Sequence, residues 1–101
     1  MSDQIDRQRK ESLRGEDAAR VLESPAFKAA MQSLKDEIVT QWSKAPVRDV
    51  EGQRLLLQLH KLANKFEGLL TGMVETGKLA QINLDAERDE SVARKLFRRV
   101  I

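Results

Sequence analysis

The chain has 101 residues, one domain at most, with 41% apolar residues, 34% charged ones and a net charge of +2. Only Phe27, Trp42, Phe66 and Phe97 are large aromatics, and this mix is that of long amphipathic helices. With no cysteine, disulfides, thiolate metal sites and thiol nucleophiles are excluded, and the near-balance of charge argues against a dedicated nucleic-acid binder.

No apolar h-region follows Met1 and no apolar run approaches the length of a membrane span. The expectation is a soluble protein of a reducing cytoplasm, or of an assembly built there. Residues 1–15 hold only Ile5 and Leu13 as sizeable apolar side chains after Met1, and Gly15 closes the segment. A flexible, polar N-terminal arm is expected there, ordered only against a partner. From Glu16 to Glu23 the pattern predicts a short helix with Ala18, Val21 and Leu22 on one side. Glu16 and Asp17 stand at its start, where the helix dipole favours negative charge.

Ser24-Pro25 is a cap residue followed by proline at the first helical position. Phe27, Met31, Leu34 and Ile38 then recur in steps of four, three and four, widened by Ala30 and Trp42. Pro46 pushes the residue before it out of helical geometry, so Ala45 is the expected end. Asp49 caps a second long helix whose stripe is Leu55, Leu59, Leu62, Phe66, Leu69 and Met73. Leu56, Ala63 and Leu70 form a second row beside it, and such heptad spacing marks helix-on-helix packing. Gly77 suits a glycine C-cap, while Gly68 and Gly72 are the glycines expected to admit another backbone. A linker over Lys78–Asn83 leads to a last helix from Leu84, with Val92, Ala93, Leu96, Phe97 and Val100 on its apolar side.

Strand alternation is absent throughout. The expected fold is all-α: an antiparallel long-helix hairpin over Pro25–Thr76, with an additional short N-terminal helix, a C-terminal helix and a flexible N-terminal arm. The organisation is an arm at 1–15, a helical hairpin domain at 16–80, and a linker and helix at 81–101. One stripe on each long helix pairs with the other. The surplus row of Leu56, Ala63 and Leu70 is left for residues 16–23, for residues 84–101 or for another subunit to cover. Trp42, at the hairpin end, is either a core plug or an interface anchor. These leucine rows, with Ala63, Phe66, Met73 and Trp42, are the candidate protein interface.

Little else points to chemistry. His60 is the only histidine and falls on the outer face. Asp85, Glu87, Asp89 and Glu90 lack the glycine and closing glutamate of an EF-hand and are read as acids in the first turns of a helix. No phosphate-cradling glycine motif occurs, so neither a cofactor nor a small-molecule ligand nor enzymatic activity is expected. Arg94, Lys95, Arg98 and Arg99 have no acid among them. They either complement a helix C-terminus or touch nucleic acid.

Several of these residues together resemble small proteins of the structural-gene clusters of tailed bacteriophages. Those carry an RGExA-type start, a tryptophan closing the first long helix, a short Pro/Asp connector with a following arginine, and an ETGKxA ending. The matching residues are Arg14-Gly15-Glu16 with Ala18, then Leu22, Trp42, Asp49, Arg54, and Glu75-Thr76-Gly77-Lys78 with Ala80. The similarity spans residues 14–80; the stretch from Gln81 onward has no counterpart. It implies a non-enzymatic virion or assembly component (head, portal-associated or connector accessory), assembled in host cytoplasm, that contacts itself or other virion proteins.

A DNA-packaging accessory of the small-terminase type is the alternative, with Arg94, Lys95, Arg98 and Arg99 on phosphates, and a regulator gripping a host protein is a third. On the DNA reading, replacing those four residues by Ala lowers duplex affinity and flattens its log–log salt dependence by about 3 to 4. Fluorescence anisotropy at several salt concentrations checks this, and an unchanged affinity removes the alternative.

Overall fold

In a computed structural model describing residues 2–100, with side chains from Asp3 to Arg98, the chain is three helices and no strand is present among the described residues. They are α1 (Ser2–Glu23), α2 (Pro25–Lys44) and α3 (Val50–Val100). The capping chemistry accounts for the two breaks. The Ser24 side chain accepts from the Phe27 N–H at 3.4 Å and Pro25 opens α2. Ala45, at φ −67° and ψ 132°, leaves helical geometry ahead of Pro46. Asp49 then caps α3, its carboxylate accepting from the Gly52 N–H at 3.0 Å. The Gln53 amide ties down the connector by donating to the carbonyls of Pro46 (3.0 Å) and Val47 (3.2 Å).

Three expectations need correction. The segment expected as an arm, residues 1–15, is helical from Ser2 onward and continuous with 16–23, so Glu16 and Asp17 lie inside α1 rather than at a helix start. Gly77 does not end a helix: α3 runs through it, through the expected linker at 78–83, and on to Val100. Asp85, Glu87, Asp89 and Glu90 are therefore in the body of α3, where Asp85 pairs with Arg88 and Glu90 with Arg94.

The cause of the first two lies in one contact. Gly15 of α1 and Gly77 of α3 face each other so closely that a methyl group on Gly15 would stand 2.8 Å from the Gly77 Cα and 2.8 Å from the Met73 carbonyl oxygen. Around it the seam is built of small and polar groups. Ala18 and Ala80 are buried, and Ser12 donates to Gln81 Oε1 at 2.8 Å. A glycine inside a helix costs about 1 kcal/mol against alanine. Here that cost is offset by the packing that two bare backbones allow. Neither Gly68 nor Gly72, the pair expected to do this, has anything near its Cβ position within 4 Å.

Pairings show how the elements lie. Ser12 meets Gln81, Gly15 meets Gly77, and the rings of Phe27 and Phe66 sit 6.2 Å apart. Ser12 and Gly15 of α1 thus lie on the C-terminal half of α3, and Phe27 of α2 on its N-terminal half. The resulting shape is 80 × 26 × 16 Å, with a radius of gyration of 22.1 Å. A globular chain of this length would have about 13 Å. Met31, Ile38 and Ala63 form the small buried cluster, with Phe27 packed on it. Among the described residues no helix is long and apolar enough to cross a membrane.

Glycine substitutions test the seam with opposite signs. Gly15→Ala and Gly77→Ala are each expected to destabilise by about 1–3 kcal/mol, because backbone rather than a flexible side chain meets the new methyl. Gly68→Ala, in open space, is expected to stabilise by about 0.5–1 kcal/mol. Urea unfolding followed by circular dichroism reads both.

Candidate protein interface

The two apolar rows of α3 exchange the parts expected of them. Leu56, Ala63 and Leu70, read as surplus, lie on the inner side: Ala63 is buried, Leu56 and Leu70 half-buried. Continued at the same spacing, this row reaches Gly77, buried against α1, and Leu84, half-buried beside Ile5 and Arg9. The stripe expected to close the hairpin points away instead. Leu55, Leu59, Leu62, Phe66 and Leu69 are each at least half exposed, Leu62 to 62%, and Met73 remains 38% exposed. Phe66 reaches across to Phe27.

The physical reason is closeness. Helices that approach through Gly15, Ala18, Ala63, Gly77 and Ala80 set small residues at the closest points of the contact line, with Leu56, Leu70 and Leu84 half-buried between them. The smaller row therefore faces inward and the larger one outward. The inner row was legible as a seven-residue spacing, but alanine and glycine carry little weight in a count of apolar residues. Gln8 and Ser12, both buried on α1, gave no apolar signal at all. Gln8 Oε1 has no hydrogen-bond partner among the described residues.

On one side of the α2–α3 pair the exposed stripe forms a groove of about 530 Å³ with Met31, Leu34 and Ile38. On the other side, near the connector, a groove of about 590 Å³ is lined by Val39, Trp42, Val50, Leu57 and His60, among others. Trp42 is 60% exposed at its edge, so the core-plug reading gives way to that of a surface residue. His60 is exposed, with Nε2 3.3 Å from the Asn64 amide. The one ion pair between elements among the described residues, Lys35 to Glu67 at 2.9 Å, bridges α2 and α3. Both ends are about a third exposed, which limits its worth to about 1 kcal/mol or less.

The basic cluster is only partly available. Arg94 donates to Glu90 at 2.6 Å. Lys95 and Arg98 are exposed on α3, and the side chain of Arg99 lies outside the described residues. Compared with protein-family models, with curated proteins and with solved structures, the chain matches none.

Truncations separate the two rows. At the lowest workable protein concentration, Ile38→Ala is expected to cost about 2–5 kcal/mol. Leu62→Ala is expected to change stability by no more than about 0.5 kcal/mol, as for a surface site. Thermal and urea melts of both variants check the order, and a reversed order restores the stripe to the interior.

Proposed function

We propose that this chain is a non-enzymatic structural or assembly protein of a tailed-phage virion, a head, portal-associated or connector accessory. On this reading it is an antiparallel helical hairpin that works by laying helices against other protein chains. The observation that carries it is the heptad-spaced stripe from Leu55 to Met73, exposed along one side of α3. Contiguous apolar surface of that extent on a soluble chain marks a contact site.

The area agrees. The chain exposes 8390 Å², whereas a folded monomer of its mass exposes about 5,800 Å². The excess is larger than the roughly 800 Å² that each partner gives up in an ordinary stable interface.

What supports the phage part is the resemblance, and some of the residues that carry it meet in the fold. Gly15 and Gly77, one from each end of the pattern, touch; Ala18 and Ala80 beside them are among the most buried residues. These positions of the pattern meet at one helix crossing, whereas Trp42, Asp49 and Arg54 lie at the connector end. The nucleic-acid reading draws less support, since Arg94 is already held by Glu90.

Particles banded on a density gradient, from cells that carry this reading frame, test the proposal. The chain is expected in constant ratio to the major shell protein across the particle fractions, by quantitative mass spectrometry. Absence from mature particles and from assembly intermediates alike overturns the virion reading.

A further inference from the structure

We propose that the groove between α2 and α3 on the stripe side is filled by the same groove of a second copy, the two copies related by a two-fold axis parallel to α3. This rests on the reading of the stripe as a contact surface and names its occupant. The product is a four-helix bundle of two α2–α3 pairs, with the α1-bearing halves of both copies at one end.

Three observations lead there. The first is period. Leu55, Leu59, Leu62, Phe66, Leu69 and Met73 keep the four- and three-residue steps that accept another helix as knobs in holes. A loop or an extended peptide has no such period.

The second is size. The stripe extends for about 27 Å and α2 for about 30 Å, at 1.5 Å per residue. One α2–α3 pair therefore matches the length of another. The exposed area in excess of a folded monomer is enough to supply a standard interface.

The third is charge, and it selects the axis. Lys65 borders the groove on the α3 side, and Lys61 lies one turn before it. On the α2 side Glu37 stands three residues from the groove-lining Leu34, on the same face. An axis parallel to α3 sets α2 of one copy on α3 of the other at an unchanged level along the bundle. The Glu37 carboxylate then faces the Lys61 and Lys65 ammonium groups of the partner, twice over, as a self-complementary contact requires. A perpendicular axis would lay α3 on α3 and bring those lysines against their own copies.

Sedimentation equilibrium of the full chain, with circular dichroism to confirm helicity, gives the test. A dimer is expected, and Leu62→Glu with Leu69→Glu is expected to raise its Kd by about 1,000-fold. Trp42→Glu, on the opposite groove, is expected to leave Kd within about threefold. Glu37→Lys alone and Lys65→Glu alone are each expected to weaken the dimer about tenfold, and the two together to restore it. Both leucine sites are exposed, so the charge-swap pair serves as a second route if the double glutamate variant loses helicity.

A chain that is monomeric at every concentration overturns the second copy as occupant. The particle fractions judge the virion reading independently of that result. A dimer dissolved by Trp42→Glu but not by the leucine changes overturns the choice of face. A stripe-dependent dimer that the charge swap fails to restore overturns the axis.

Discussion

A pair of helices in contact can hide only one stripe of each, and where α3 is covered it is covered by one helix at a time. α1 lies on one half and α2 on the other, and the fold offers no third layer. Most of the molecule's features descend from that constraint. No large side chain among the described residues is fully buried, the apolar cluster beside α2 is three residues with Phe27 against them, and a second stripe of α3 is left largely exposed.

The two halves meet α3 by different means. Beside α2 the contact is apolar and loose, with Met31 and Ile38 over Ala63, Phe27 tilted against Phe66, and open grooves on either side. Beside α1 it is close at its centre: glycine on glycine, alanines buried, and a serine–glutamine hydrogen bond across the seam. The first kind of contact tolerates substitution and leaves space for a further partner. The second is intolerant of a single added carbon, and it explains why a segment so polar is nonetheless part of the folded body.

The sequence was most legible where local chemistry decides. Ser24-Pro25, Ala45 before Pro46 and Asp49 sit where their capping and steric preferences place them, and the all-α class was expected from the lack of strand alternation. It misled where tertiary contact overrides propensity. Gly15 and Gly77 carry the local signature of helix ends, and only their facing positions, 62 residues apart, turn them into a packing device. The two apolar rows of α3 were legible as rows, but which faces inward and which outward was exchanged. A hydrophobic count ranks leucine above alanine, while a close helix crossing ranks them the other way.

The separation of contacts along the chain also orders the events of folding. α2 and the start of α3 are joined by the short connector around Pro46, so their pairing closes a small loop. The Ser12–Gln81 hydrogen bond, by contrast, joins residues 69 apart. Contacts of short range form ahead of those of long range. The α2–α3 groove therefore closes first, and α1 joins once its distant partners at residues 77–84 have come round to it. On the two-fold arrangement proposed above, the surface offered to a second copy is then formed before α1 docks.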